Sequence, residues 1–148
     1  AYLYKFTSYV EWPPSVFTQA NTPLTVGVIG ADEVAAELRA LIKDRSASDR
    51  VIEVKSLKAD APVKDIQILF IGQRENGHLK NLLESLQAQP VLTVTETTNA
   101  LDSGSVINFL FVDERIRFEV SMMQAERNGL KISARLLAVA QKIDARGP

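Results

Sequence analysis

One histidine, no cysteine and a scatter of carboxylates are the side chains with which this 148-residue chain could do chemistry. Without cysteine there is no disulfide framework, no thiolate metal site and no cysteine nucleophile. A lone His78 builds neither a histidine metal cluster nor a histidine pair, and its place after Gly77 suits a solvated or capping role better than that of a general base. Ser105 follows Gly104 but lacks the Gly-x-Ser-x-Gly elbow of a nucleophilic serine. Asp32, Glu75, Glu96, Asp102, Asp113 and Glu114 fall near expected strand ends. Any two of them could act as acid and base, but such positions more often cap helices and solvate turns.

Gly27-x-x-Gly30 closes the first apolar run and invites a nucleotide reading. A dinucleotide fingerprint needs Gly-x-Gly-x-x-Gly, and a phosphate loop needs a following Gly-Lys-Ser/Thr. Ala31, Asp32 and Glu33 follow instead, and their carboxylates would repel a phosphate at that helix start. A phospho-accepting domain of similar architecture would need an aspartate at the end of its central strand, where this chain has Phe70-Ile71-Gly72-Gln73. The census points to a binder and away from an enzyme, with no cofactor or metal expected.

The elements that would position these groups follow from periodicity. Leu3, Phe6 and Val10 predict a helix from Ala1 to Trp12, stopped by Pro13-Pro14. Leu24–Ile29 reads as a buried strand, Gly30 as a turn, and Asp32 as the N-cap of a helix over Glu33–Lys43. A strand over Arg50–Leu57 alternates as an edge would, whereas Ile66–Ile71, apolar but for Gln67, reads as the most interior strand. A helix over Asn76–Gln87 and a strand over Val91–Thr95 come next. Val106–Val112 and Ile116–Val120 flank a short polar turn and predict an antiparallel hairpin. Ser121 caps a short helix through Asn128, Gly129 closes it, and the spacing of Ile132, Leu136, Val139 and Ile143 predicts a last helix over Lys131–Ala145.

Strand–helix–strand units followed by a hairpin imply an α/β fold. The expected sheet is mostly parallel, with helices on both faces, a flavodoxin-like order 2-1-3-4-5, a C-terminal antiparallel hairpin and terminal helices. No repeat or linker divides residues 1–148, so one domain is expected. Seventeen Lys and Arg against eighteen Asp and Glu give a net charge of -1, without the basic excess a nucleic-acid surface requires. No apolar run approaches the ~20 residues that span a bilayer. The chain opens at Ala1 without methionine or a leader, as it would after loss of a targeting segment or after trimming.

Particular segments resemble those of the YfiR-like family. They are Tyr4-Lys5-Phe6, Tyr9-Val10-Glu11-Trp12-Pro13, Ile68–Ile71, Pro90–Val94, Gly104–Phe109, Arg117–Val120 and Gly129–Leu137, in the family's order over essentially the whole chain. The resemblance implies a small α/β protein in the periplasm, its signal peptide removed, that restrains a membrane-bound diguanylate cyclase of the cyclic di-GMP pathway by docking on its periplasmic region. It also implies self-association as a homodimer and sequestration by an outer-membrane lipoprotein. Some members carry a cysteine where Gln67 stands, and without cysteine disulfide control is absent here; the family's usual Asn is replaced by Ser121, which can cap a helix equally well.

Two candidate surfaces follow. An exposed aromatic patch and an unpaired strand edge both invite a partner, which marks Tyr2 and Tyr9 on the first helix and Arg115 and Arg117 on the hairpin. The alternative is a small-molecule sensor or solute-binding module. Its ligand would sit at the carboxyl ends of the parallel strands where the order reverses, beside Gly30 and Asp32 on one side and Gln73 and Arg74 on the other.

Overall fold

A computed structural model describes residues 2–43 and 50–144. Seven strands form the main sheet: β2 (Leu24–Ile29), β3 (Ile52–Leu57), β4 (Ile68–Ile71), β5 (Leu92–Thr95), β6 (Ile107–Val112), β7 (Arg115–Ser121) and β9 (Lys142–Asp144). Their spatial order is β3-β2-β4-β5-β6-β7-β9. The first five run parallel, β6 and β7 form the expected antiparallel hairpin, and β9 returns parallel to β7. Every residue of β2, β4 and β5 is buried, which is why these strands read as uninterrupted apolar or Thr-bearing runs.

The two faces of the sheet carry separate cores, because successive strand residues point to opposite sides. On one face Val26, Val28, Ile68, Phe70 and Leu92 meet α1 (Tyr2–Tyr9) and α2 (Asp32–Lys43) through Leu3, Phe6, Ala35 and Leu38. On the other, Ile29, Leu69 and Ile71 pack under α3 (Leu79–Ser85) through Leu79 and Leu83. Each fully buried Leu or Phe contributes about 1.5–3 kcal/mol.

Several boundaries differ from the sequence-based expectation. The first helix stops at Tyr9; Val10-Glu11 become a short strand, β1, antiparallel to β8 (Lys131–Ile132). Helix α2 takes Asp32 as its first residue, and the carbonyl of Ala31 accepts from the N–H groups of Val34 and Ala35. The helix expected from Asn76 begins only at Leu79, behind a 3₁₀ stretch over Gln73–His78. Ser121 does cap α4 (Met122–Arg127), its Oγ accepting from the N–H of Gln124 at 3.2 Å, and Gly129 has φ +73°.

The largest correction concerns Lys131–Ala145, expected as one helix. It is broken into β8, a five-residue helix α5 (Ala134–Ala138) and β9. Two edges, β1 and β7, offer unpaired backbone groups, and pairing with them outweighs a helical period whose exposed positions include Val139 and Ile143. The expected helix ends at Ala1 and Ala145 lie outside the described residues.

Candidate functional site

At the carboxyl ends of β2 and β4 the backbone closes on itself. The N–H of Gly72 donates to the carbonyl of Ile29 at 2.8 Å, and a Cβ on Gly72 would stand 2.4 Å from the carbonyl oxygen of Gly30. Gly30 adopts φ +69°, and Glu75 lies over it, its Cγ 2.6 Å from where a Cβ would be. The crevice expected between these loops is therefore occupied by the chain itself. Gly30 and Glu75 instead line a wider cleft with Leu57, His78 and Leu82. His78 is 70% exposed, its Nδ1 3.4 Å from Glu75.

Of the four residues expected around a ligand, only Gln73 reaches a second cavity, a groove of about 370 Å³. Asp32 and Arg74 line neither space. The groove runs between α1, α2 and the β6–β7 hairpin and is walled by Tyr2, Val34, Phe70, Phe109, Phe111 and Ile116, with Glu37, Gln73 and Glu96 among its polar groups.

The groove's aromatic floor is built from distant segments. The Tyr2 ring lies 5.9 Å from Phe109 and meets Phe118 edge-on at 5.4 Å, while Phe6 stacks on Phe109 at 6.0 Å. Such pairs each add about 0.5–1.5 kcal/mol beyond area burial. Phe109 sits opposite Phe118 and Phe111 opposite Ile116, so four apolar side chains share one face of the hairpin. The inner pair is covered by α1. The outer pair projects past it: Phe111 is 74% and Ile116 53% exposed.

The four residues expected to meet a partner are split. Tyr2 lines the groove. Tyr9 ends α1 and packs half-buried on the core, its carbonyl accepting from the N–H of Ser133. Arg115 and Arg117 alternate with Ile116 and so point to the opposite face of the hairpin, across from Val112 and Leu110. The edge of β7 is also partly taken: β9 pairs with Glu119–Ser121, and the N–H of Gln141 donates to the carbonyl of Phe118.

Other polar groups turn inward. Trp12 Nε1 donates to the Gln67 carbonyl at 2.9 Å, and Gln67 Oε1 accepts from the N–H of Thr25 at 2.7 Å. Asn108 Oδ1 accepts from Thr95 Oγ1 and from the N–H of Thr97, while its Nδ2 donates to Glu119 Oε1. Ser105 bonds Thr95 and the Ile107 carbonyl, a structural role without a base beside it. No group of three or more His, Asp or Glu side chains among the described residues could hold a metal. Glu96 is aimed, by contrast: its Oε2 accepts from the N–H of Gln73 at 2.9 Å.

Sequence reasoning missed Phe111, Ile116 and Glu37. The available signal was the matched alternation of Phe109/Phe111 with Ile116/Phe118, which puts one more apolar pair on the hairpin face than an eight-residue helix can cover.

Residues 1–141 match the model of the YfiR/HmsC-like family. The crystal structure of a conserved domain protein from Vibrio cholerae O1 biovar El Tor is similar in fold, with a TM-score of 0.58 at 12% identity. The match covers 80% of this chain and 54% of that one, so the chain spans about half the length of that protein.

Proposed function

The chain belongs to the YfiR/HmsC-like family, and from that premise we propose that it is a periplasmic regulator controlling a membrane-anchored diguanylate cyclase through protein–protein contact. The family is associated with regulation of diguanylate cyclases in the periplasm. No helix among the described residues is long and apolar enough to cross a membrane. An outer-membrane lipoprotein and a second copy of the chain are further partners in this reading, and catalysis has no part in it.

The observation that carries the proposal is the exposed Phe111–Ile116 pair at the hairpin tip. An aromatic and a branched aliphatic side chain standing together in water, beside the Arg115–Arg117 stretch of β7 that β9 leaves unpaired, form a small apolar anchor on an open strand edge. The reading includes a single domain over residues 1–148 and a flavodoxin-like sheet, the latter in keeping with the order β3-β2-β4-β5-β6.

The experiment is capture of the periplasmic region of a membrane-anchored diguanylate cyclase from the same cell, using the intact protein and its Phe111→Asp variant. Wild type should retain the cyclase region and the variant should lose it while staying folded. Equal capture by both would remove the hairpin tip from the reading, and no capture by wild type would remove the reading itself.

A further inference from the structure

We propose that the groove between α1, α2 and the hairpin binds a small organic cation, an ammonium group carried on an apolar or aromatic body. Four rings wall the cavity, those of Tyr2, Phe70, Phe109 and Phe111, and two carboxylates, Glu37 and Glu96, stand among its lining groups. No Lys, Arg or His lines it. Neither carboxylate has a cationic partner among the described residues.

The faces of aromatic rings carry negative potential and attract cations within about 6 Å of their centroids. Tyr2 shows this within the chain: the exposed Lys5 Nζ stands 5.8 Å from its centroid, outside the groove. The groove therefore combines aromatic rings with two carboxylates, and no cationic side chain is among its lining residues. Glu96 is fixed by the Gln73 N–H, so its charge is positioned before any ligand arrives.

Size agrees with the chemistry. A volume of about 370 Å³ lies within the range of small-molecule sites and admits a one- or two-ring amine. An anion would meet two carboxylates and no cation, and a phosphate would find Asp32 and Glu33 at the nearby start of α2. Of the residues expected around a ligand crevice, Gln73 lines this groove. The inference goes beyond the docking reading and does not depend on it.

The test is titration of purified protein with benzyltrimethylammonium, followed by amide chemical shifts, with benzyl alcohol and benzoate as neutral and anionic counterparts. The cation should give saturable shifts at Tyr2, Val34, Gln73 and Phe109–Phe111, and the counterparts should not. Glu37→Gln with Glu96→Gln, both at exposed positions, should weaken the cation about three- to tenfold without loss of fold. At position 96 the amide oxygen still accepts from Gln73, so local geometry is kept. Equal binding of benzyl alcohol, shifts that map elsewhere, or a double variant that binds like wild type would each overturn the proposal. The Glu37/Glu96 double variant separates the two readings, because it removes the groove's carboxylates and leaves the Phe111–Ile116 pair intact for cyclase capture.

Discussion

Truncation of Phe111 should uncouple stability from docking, because the ring is already mostly in water. With 74% of the residue exposed, about a quarter of it contributes to the fold. Full burial of a Phe side chain is worth about 1.5–3 kcal/mol, so the burial lost in Phe111→Ala is about 0.5 kcal/mol. The weaker strand preference of alanine adds up to ~1 kcal/mol. Phe118 is the internal control: it is fully buried and meets Tyr2 and Phe6 edge-on at 5.4 and 5.6 Å. Its replacement by alanine should cost about 3–5 kcal/mol. Urea unfolding followed by circular dichroism reads both values. Capture of the cyclase region should weaken by more than tenfold in Phe111→Ala, since an exposed aromatic that becomes the buried anchor of an interface is worth about 2 kcal/mol or more. Two results refute the reasoning. One is a Phe111→Ala protein that docks like wild type; the other is one destabilised as much as Phe118→Ala.

Other substitutions probe the framework behind the groove. Gly72→Ala places a methyl 2.4 Å from the Gly30 carbonyl oxygen and should lower stability by about 1–3 kcal/mol in urea unfolding, whereas Gly77→Ala meets nothing within 4 Å and should be neutral or stabilising by up to ~1 kcal/mol. Asn108→Ala strips the acceptor from the N–H of Thr97, while Thr95 Oγ1 still reaches Ser105, and should cost about 1–3 kcal/mol, read as a lowered melting temperature. Trp12→Phe removes the donor to Gln67, but Leu92 N–H still satisfies that carbonyl, so a loss of only about 1–2 kcal/mol is expected by calorimetry.

Much of the frame was legible because it is local. The runs Leu24–Ile29 and Ile68–Ile71, the Ser121 cap, the Gly129 close and the hairpin each depend on residues within a few positions of one another. The aromatic start, expected to present Tyr2 and Tyr9 as an exposed patch, is mostly core: Phe6 and Trp12 are buried and the tyrosines half-buried. The C-terminal stretch was misread because helical spacing is a local preference, and here a strand partner more than a hundred residues away, Val10 opposite Ile132, overrides it.

The candidate site lay on the other side of that divide. Composition and motif counting bounded the chemistry: a chain with one histidine, no cysteine and no phosphate loop is limited in what it can catalyse. Which side chains meet was decided only in three dimensions. Gly30 was expected beside a ligand crevice, and its backbone and that of Gly72 approach too closely to leave one. Tyr2 and Arg117 were grouped by sequence character, yet strand alternation places the arginine on the far face. A periodic pattern says which side of an element is apolar; it cannot say how far the covering helix extends. Helix α1 ends its cover at the Phe109–Phe118 pair, and that single length leaves Phe111 and Ile116 in water.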